Sequence, residues 1–390
     1  MAFKILLTSI DFRPKLGGVA TCSYELAKAL HEIPGVEVEF LAPEISGHEE
    51  FDQTCPFPVH RAQLPDSFKA VLPLSLKILA VCYRSRPNLV INMLWLPCGF
   101  ATFLIRPFLF LLGIKQAIFV HAVEIMESGS SKKKSLRRKM RFLKRRCFQA
   151  ADHCFAVSNY TKNLIISECG VKSEEITVSF NGVDYQKYSP GPKNARLEAR
   201  MGSEGKKIFF TITRLDDYKG IDKSLDAFAL LQNRYPDSQF LIAGDGGDRP
   251  RIEKLIHSLK LEKSVKLLGR ISDEELIEFY RLADCYVMLS REDLDAPNVE
   301  GFGIVFLEAA ACELPIIAGN SGGIPDAVAD QENGILVTPT DIEEVARAME
   351  KMIVDTALSL QYGKSGRERV INKFSWPHMA NRVISNYVRN

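Results

Sequence analysis

The stretch KIFFTITR (207–214) is a short run of aromatic and β-branched residues that leads into a charged loop. Such a run is typical of a strand that is buried on both faces of a parallel sheet. Similar runs, separated by segments with helical periodicity, lie at 4–10, 36–42, 88–94, 117–122, 154–158, 176–183, 239–246, 265–270, 285–290, 315–319 and 334–339. This alternation predicts an α/β fold built from doubly wound parallel sheets.

The runs form two series, which predict two Rossmann-like domains. The proline- and glycine-rich stretch NGVDYQKYSPGPKN (181–194) interrupts the pattern and marks the seam between them. Ligands of such sheets bind beyond the carboxyl ends of the strands. Two domains that face each other would therefore enclose a ligand cleft, and the residues that follow the strands become the candidates for function.

Composition excludes several classes of protein. The 50 basic and 48 acidic residues of this 390-residue chain leave a net charge of +2, which gives no overall bias toward nucleic acid. The nine cysteines are scattered without a C-x-x-C pair, so neither a zinc site nor a disulfide framework is expected, and a reducing compartment is indicated.

One long apolar stretch, LWLPCGFATFLIRPFLFLLG (94–113), raises the question of a membrane span. A spanning helix needs roughly 20 apolar residues with few charges. Pro97, Arg106 and Pro107 interrupt this stretch, which favours a buried helix after a strand over a span.

Two candidate ligand contacts follow strands of the first series. Gly17 and Gly18 precede a predicted helix, where glycines allow a ligand to approach the backbone and free N–H groups favour an anion. A flexible turn is the alternative. His121 lies at the carboxyl end of the run at 117–122 and would face the cleft, although a single histidine can equally be structural.

The loop TRLDDYKG (213–220) follows the first strand of the second series and holds two cations, Arg214 and Lys219. Two cations on one short loop repel each other unless an anion lies between them, and a diphosphate would supply that anion. The alternative is a solvated loop in which Asp216 and Asp217 are the partners of these cations.

The stretch EGFGIVFLE (300–308) places Glu300 and Glu308 on either side of a predicted helix start. If the helix begins near Gly303, the N–H groups of Gly303, Ile304 and Val305 form an anion site. Carboxylates do not bind phosphate, so the two glutamates would contact hydroxyl groups on either side of a diphosphate. A nucleoside diphosphate sugar has this arrangement of groups.

Two weaker patterns occur in the same half. GDGGDR (244–249) lacks the last glycine of a dinucleotide fingerprint and is interpreted as a turn after a strand. DLD (293–295) matches the D-x-D triplet of metal-dependent sugar transferases, but such triplets are common, and no metal site is expected.

The chain resembles the retaining GT-B glycosyltransferases of family 4, whose E-x7-E pattern corresponds to Glu300–Glu308. The resemblance extends over nearly the whole length and rests on GGVATCSYELAKAL (17–30), His121, VSNYTKNLI (157–165), NGVD (181–184), TRLDDYKG (213–220), LIAGDG (241–246), LLGRIS (267–272), EGFGIVFLEAAACELPIIAGNSGGIPDAV (300–328) and NGILV (333–337). It implies a metal-independent hexosyltransferase (EC 2.4.1.-) without a cofactor.

The resemblance also implies roles for the candidate residues. Arg214 and Lys219 would hold the donor diphosphate, and Glu308 would accept hydrogen bonds from the ribose hydroxyls. Glu300 would contact the donor hexose, and so would the backbone of Phe302 and Gly303.

Further roles are implied for residues outside this group. His121 would lie beside the transferred sugar, and Gly18, with Gly17 before it, would lie near the β-phosphate. The backbone of Arg270 and Ile271 would border the base.

The implied organisation is an acceptor-side domain over 1–187, a donor domain over 188–374 and a last helix, 375–390, that returns to the first domain. The implied donor is a UDP-sugar of glucose type, or a GDP-sugar, and the acceptor is a glycan or a lipid-linked molecule in polysaccharide or glycolipid assembly. A nucleotide-sugar 2-epimerase and a non-catalytic membrane-associated scaffold are the alternatives.

The run KKKSLRRKMRFLKRR (132–146) combines a basic face with an apolar stripe of Leu136, Met140, Leu143 and Cys147. It indicates either a solvated helix that is anchored to its domain or a contact with an anionic membrane surface. Nucleic acid is disfavoured because Phe142 is the only aromatic residue among the charges. The expected location is cytoplasmic, peripheral to the inner face of the plasma membrane.

One position departs from the family pattern. The family usually has Cys-Gly-x-Pro where this chain has CELP (312–315). Glycine normally takes the left-handed position after a helix, so Glu313 is expected to cost about 1 kcal/mol or to end the helix differently.

Overall fold

A computed structural model describes residues 2–65, 67–126, 134–293 and 298–388, with the side chains of Ser67 and of 134–139 excepted. The chain forms two compact units. The first comprises Met1–Gly182 and Trp376–Asn390, and the second comprises Val183–Leu294 and Asn298–Ser375. Each unit is an α/β domain built on one parallel sheet, as the sequence predicts.

The sheet of the first unit has seven parallel strands in the order β3-β2-β1-β4-β5-β6-β7. The strands are β1 (Phe3–Thr8), β2 (Val36–Pro43), β3 (Val59–Ala62), β4 (Leu89–Asn92), β5 (Lys115–Val120), β6 (His153–Ala156) and β7 (Ile176–Val178). Strand order reverses beside β1, which is the doubly wound arrangement that leaves a ligand crevice at the carboxyl ends of β1 and β4.

The edge strand β3 has no counterpart among the predicted strands. Its four residues, VHRA, include His60 and Arg61, whose side chains bind Glu39 and Asp52. An edge strand with polar residues lacks the continuous apolar run by which the other strands were recognised.

Helices cover both faces of this sheet. They are α1 (Gly18–His31), α2 (His48–Asp52), α3 (Val71–Ser85), α4 (Phe100–Leu104), α5 (Arg106–Leu111), α6 (Lys134–Ala150) and α7 (Asn159–Leu164). One core cluster lies beneath α3, α4 and α5, and another lies beneath α6, where Cys147 and Phe148 are buried.

The prediction of a buried helix over 94–113 is only half correct. The segment is a short π-helical stretch at Trp95–Gly99, irregular at Leu96, followed by the short helices α4 and α5. Ile105 and Leu109 are buried, but Phe110 and Leu111 are each 80% exposed. Within the described ranges, no helix is both long enough and apolar enough to cross a bilayer.

The sheet of the second unit has six parallel strands in the order β10-β9-β8-β11-β12-β13. The strands are β8 (Lys207–Ile212), β9 (Ser238–Ala243), β10 (Val265–Gly269), β11 (Cys285–Met288), β12 (Ile316–Gly319) and β13 (Gly334–Val337). Strand order reverses at β8, so the loops after β8 and β11 meet at the switch point where ligands bind in such sheets.

The helices of the second unit are α8 (Ala195–Met201), α9 (Ile221–Gln232), α10 (Arg249–Ser258), α11 (Asp273–Leu282), α12 (Ile304–Ala311), α13 (Ile324–Ala327), α14 (Ile342–Val354) and α15 (Thr356–Lys373). The last helix, α16 (Trp376–Ile384), belongs to the first unit and packs against α1. Ser179 fixes it there, because its hydroxyl donates to the carbonyl of Met379 at 3.2 Å.

Glu313 occupies the left-handed position after α12, with φ at 61°. Leu314 N donates to Ala309 O at 3.0 Å, and Glu313 N donates to Ala310 O at 3.0 Å. This is the bond pattern that normally closes a helix with glycine. The chain therefore keeps the usual helix end with an unfavourable residue.

Replacing Glu313 by glycine is expected to raise the free energy of unfolding by about 1 kcal/mol, because glycine adopts a positive φ without steric cost. Thermal unfolding of the two proteins measures the difference. Glu343→Gly, a substitution in the first turn of α14, is the control and should destabilise. A Glu313→Gly variant that unfolds below the parent temperature would contradict the interpretation.

Candidate active site

The loop after β8 turns through Asp217–Lys219 and brings Lys219 to Glu300, which follows β11. Lys219 Nζ donates to Glu300 Oε2 at 2.6 Å, and the two side chains are only 12% and 17% exposed. Burial by itself lowers the pKa of Lys219, but the Glu300 carboxylate and Tyr218 outweigh it, so the pKa is raised and the ammonium stays charged. Two residues predicted from separate motifs therefore lie in direct contact.

Gly220 makes this contact possible. Its φ is +72°, and a Cβ at this position would overlap the carbonyl oxygen of Leu289, just after β11. Only glycine allows the loop after β8 to approach the end of β11 this closely.

Arg214 is placed differently from Lys219. Its side chain is 68% exposed, and Nε donates to the carboxylate of Asp216. The hydrogen bond with Asp216 raises the pKa of the guanidinium. The alternative considered from the sequence, in which Asp216 and Asp217 are the partners of both cations, thus describes Arg214 but not Lys219.

Asp217 has other partners. It binds Arg251 at 2.6 Å and Arg291 at 2.9 Å, while Arg291 also binds Asp222 at 2.9 Å. These ion pairs fix the β8 loop to α9, to α10 and to the segment after β11. Sequence reasoning found no role for Arg251 or Arg291, since contacts over such separations leave no local pattern.

The helix α12 begins at Ile304, where the sequence predicts it, with Gly303 as the residue before it. Gly303 has φ at 88°, and a Cβ here would overlap the ring of Phe306. Among the described residues no side chain caps this helix. Its first N–H groups, including those of Ile304 and Val305, therefore keep their capacity to bind an anion.

Glu308 lies one turn into α12 and is partly buried. Burial raises the pKa of its carboxyl to about 6, although Tyr280 opposes this shift. The hydroxyl of Tyr280, a fully buried residue of α11, donates to Glu308 Oε2 at 2.9 Å. The glutamate is thus oriented by a tyrosine that the sequence patterns did not single out.

The backbone of Glu300 is held by the loop after β12. Gly323 N donates to Glu300 O at 2.9 Å. Gly322 has φ at +56°, and a Cβ there would overlap the same carbonyl oxygen. Sequence patterns assign these glycines no individual role, because the need for them arises from a segment more than 20 residues away.

The turn after β9 supports the Arg214 loop. A Cβ on Gly244 would overlap the carbonyl oxygen of Thr213, and a Cβ on Gly246 would overlap that of Leu215. Leu215 N also donates to Asp245 O at 3.1 Å. GDGGDR forms a turn after a strand, as the sequence predicts. Two of its glycines also allow the backbone on either side of Arg214 to pack closely against this turn.

Other predicted contacts lie at or near the carboxyl edge of the same sheet, and one sequence pattern extends into residues that the structure does not describe. Arg270 and Ile271 directly follow β10, ahead of Ser272, which caps α11. Phe302 is buried against Phe374. The D-x-D triplet reaches residue 295, which lies outside the described residues.

In the first unit, His121 follows β5, and its Nε2 is buried without a partner in the described part of the chain. Burial lowers the pKa of His121 to about 4, so the imidazole is neutral at physiological pH. The backbone N–H of His121 donates to Glu124 Oε1 at 2.5 Å, and Ala122 has a positive φ of 87°. Strained backbone of this kind often marks a functional site.

Gly17 and Gly18 lie at the start of α1 in the first unit, and both are exposed. A Cβ added to either would meet no atom within 4 Å. Space is therefore open around the first turn of α1, and no side chain in the described part of the protein caps it.

The basic run is described only in part. Residues 132–133 and the side chains of 134–139, including Leu136, lie outside the described residues. Met140, Leu143 and Cys147 face the core as predicted. Lys144, however, is buried, and its Nζ donates to Ile125 O at 2.7 Å, so not every cation of the run is available at the surface.

Comparison with known protein families finds a match to each half of the chain. The profile described as glycosyl transferases group 1 matches residues 196–369, and the profile of glycosyltransferase family 4 matches residues 16–187. The chain belongs to glycosyltransferase family 4. As a member of this family it is a hexosyltransferase that uses a nucleotide-sugar donor.

Individual relatives match this family 4 chain over nearly all or about half of its length. A GDP-mannose-dependent α-(1-6)-phosphatidylinositol monomannoside mannosyltransferase of Mycolicibacterium smegmatis is 28% identical over 95% of both chains. A D-inositol 3-phosphate glycosyltransferase of Corynebacterium urealyticum is 30% identical over 54% of this chain and 50% of that protein.

Solved structures share the fold. HepE of Anabaena in complex with UDP and glucose superposes with a TM-score of 0.77 at 21% identity, covering 98% of this chain and 99% of that chain. The sucrose-phosphate synthase of Thermosynechococcus elongatus gives a TM-score of 0.78 at 22% identity, over 99% and 98% of the two chains. Both likenesses establish the two-domain GT-B fold of this family 4 enzyme.

Proposed function

We propose that this protein is a retaining, metal-independent glycosyltransferase that moves a hexose from a nucleoside diphosphate sugar to a lipid-linked or glycan acceptor. The observation that carries the proposal is the partly buried pair of Lys219 and Glu300 at the switch point of the second sheet. Such a pair offers one charge for a phosphate and the opposite charge for sugar hydroxyls.

The chemistry follows from the leaving group. Negative charge grows on the diphosphate as the glycosidic C–O bond breaks. Lys219, Arg214 and the N–H groups at the start of α12 are suited to stabilise that charge, and preorganised donors of this kind are worth about 3–4 kcal/mol each. The acceptor attacks on the face that the diphosphate leaves, and the departing phosphate takes the acceptor's proton.

The remaining residues orient the donor. Glu308 accepts hydrogen bonds from the ribose hydroxyls. Glu300 and the backbone of 302–303 both contact the hexose. Arg270 and Ile271 border the base. His121 is neutral and its Nε2 is unpartnered within the described residues, so it serves as a sugar contact rather than as an acid.

Two donors are in question. The UDP-glucose type expected from the sequence rests on family frequency. A relative that matches 95% of this chain is instead a GDP-mannose-dependent mannosyltransferase. We therefore place GDP-mannose first and UDP-glucose second. The same relative acts on a phosphatidylinositol monomannoside, which favours a phosphatidylinositol-type acceptor here. Such an acceptor is consistent with a peripheral position on the inner membrane face and with membrane contact through 132–146.

A panel of donors tests the proposal. Thermal unfolding would be measured with GDP-mannose, UDP-glucose and ADP-glucose, each with and without a chelator, because a ligand that binds only the native state raises its stability. One donor should raise the unfolding temperature and be hydrolysed or transferred with the chelator present. No response to any nucleotide sugar, or activity that manganese restores after chelation, would refute it.

Glu308 gives the site a pH dependence. We expect the affinity for the nucleotide sugar to fall as the pH drops through about 6, because the protonated carboxyl accepts fewer hydroxyl hydrogen bonds. Glu308→Gln should bind the donor roughly 10- to 100-fold more weakly at pH 7.5 and lose this pH dependence. Titration calorimetry with the intact sugar nucleotide avoids the ionisation of a free terminal phosphate.

The stability of the variant separates this effect from unfolding. The folded pKa of Glu308 is raised, so its ionised form costs stability above pH 6 and that cost disappears as the pH falls through the unfolded value. Glu308→Gln should therefore unfold at the parent temperature or above it at pH 7.5. Glu313→Gln is the matched control, with unchanged affinity. A pH-independent affinity in the parent protein would exclude the assigned role.

A further inference from the structure

A long part of the first unit contains no acidic side chain. Between Ser67 and Val123 the sequence has no aspartate or glutamate. The cations in this interval are Lys69, Lys77, Arg84, Arg86, Arg106 and Lys115. Any surface formed by these residues is therefore positively charged, although the chain as a whole is almost neutral.

The helix α3 exposes an apolar stripe within this interval. Leu72, Leu76 and Tyr83 are 66%, 61% and 68% exposed, and their spacing places them on one face. The opposite face of α3, which includes Leu74 and Ile78, is buried in the core. The exposed stripe is thus not needed to hold the helix on its sheet.

The neighbouring helices α4 and α5 expose larger groups. Leu104 and Phe108 are 47% and 55% exposed, and Phe110 and Leu111 are each 80% exposed. Soluble proteins rarely expose contiguous apolar groups of this size unless they contact a partner or a membrane.

These helices form one layer. α3 packs against α4 and α5, which share one core cluster with it, and α4 packs against α6. On α6, Phe142 is 57% exposed and lies beneath the guanidinium of Arg146, 5.2 Å from its ring centroid. The outer surface of α3, α4 and α5, which we name the α3–α5 face, is therefore apolar and carries exposed cations, namely Lys77, Arg84 and Arg106, while α6 adds Arg146. Asp152 lies at its edge beside Phe110 and Arg106.

We propose that the α3–α5 face docks the protein on an anionic lipid bilayer, with Phe110 and Leu111 entering the acyl region. Amphipathic surfaces bind at this depth through apolar groups, while lysine and arginine extend their charged ends to the lipid phosphates. Juxtaposed cations strengthen binding to anionic lipids. The face supplies both groups on adjacent helices.

Charge argues against a second copy of this chain as the occupant. A twofold interface brings the same patch of both subunits together. The α3–α5 face would then place mainly cations against cations, because 67–123 contains no acid and Asp152 already lies beside Arg106 and Lys115. An anionic bilayer instead offers the opposite charge over the whole surface. The proposal assigns the membrane contact to a defined surface of the protein. It does not depend on the identity of the donor or the acceptor.

Vesicle sedimentation tests the proposal with the full chain. Vesicles of phosphatidylcholine alone would be compared with vesicles that contain about 30% phosphatidylglycerol. We expect binding to the anionic vesicles only, and a loss of about tenfold or more in the double variant Phe110→Ser/Leu111→Ser. Leu360→Ser alters a residue of α15 that is 61% exposed in the second unit, and it should leave binding unchanged.

A second measurement reports the depth of insertion. Phe110→Trp places a fluorophore on the face, and brominated acyl chains should quench it, whereas they should not quench Leu360→Trp. Unchanged vesicle binding in the double variant, or no quenching of Phe110→Trp, would overturn the proposal. So would a dimer of the parent protein that the double variant disperses, since that result would assign the face to self-association.

The proposed catalytic function and the proposed docking surface can be tested independently of each other. Thermal shifts with nucleotide sugars should be the same for the double variant and the parent, because the substitutions lie at exposed positions of the first unit. A protein that binds anionic vesicles but no sugar nucleotide would refute the enzyme proposal alone. A protein that transfers sugar but ignores vesicles would refute the docking surface alone.

Discussion

Lys219→Ala is expected to lower kcat by about 10²- to 10³-fold, the usual effect of removing one preorganised donor to a developing oxyanion. The effect on donor affinity should be much smaller. Lys219 is already paired with Glu300 at 2.6 Å in the free protein, so binding the donor exchanges one anionic partner for another. The stabilisation that Lys219 provides increases as charge grows on the leaving diphosphate, that is, in the transition state. Steady-state kinetics with saturating donor measure it.

The controls for this prediction come from the same region. Lys223 binds Asp226 at 3.2 Å on α9, and Lys223→Ala should keep the parent kcat. The double variant Lys219→Ala/Glu300→Ala shows whether the loss comes from the missing cation or from an unpaired carboxylate left beside the diphosphate. If the double variant recovered most of the activity, Lys219 would be a partner of Glu300 rather than a contact of the diphosphate.

The sequence predicted the fold, and it predicted that the candidate residues would lie at one sheet edge, for a simple reason. Buried parallel strands require continuous apolar runs, and ligands bind beyond their carboxyl ends, so Arg214 and Glu300 could be placed at one sheet edge before any contact was known. The start of α12 also followed from local chemistry, because Gly303 and the residues after it carry the signal in adjacent positions.

The rest depends on contacts between distant segments. Tyr280 orients Glu308 from another helix, and Gly322 approaches Glu300 from another loop. Neither has a local pattern that separates it from an ordinary core or turn residue. The exposed groups of α5 were missed for the opposite reason: apolar residues predict burial on average, and the sequence does not distinguish a buried phenylalanine from one like Phe110.

Gly244→Ala should be the most destabilising of the single substitutions considered. Gly244 has φ at +115°, and a Cβ would overlap the carbonyl oxygen of Thr213, part of a backbone that cannot rotate away as a side chain would. Strain and overlap together should cost about 3 kcal/mol or more. For a unit of this size, such a loss lowers the unfolding temperature by roughly 10 °C.

The same stretch supplies the control that makes this prediction sharp. Gly247 lies three positions later, its φ is not in the left-handed region, and a Cβ there would meet no atom within 4 Å. Gly247→Ala should change stability by about 0.5 kcal/mol or less. Any Gly244→Ala protein that folds must displace the backbone of Thr213 and therefore Arg214, so its donor affinity should fall as well. Equal unfolding temperatures for the two variants would show that the turn after β9 does not hold the Arg214 loop, and the support we assign to this side of the site would have to come from the ion pairs of Asp217 instead.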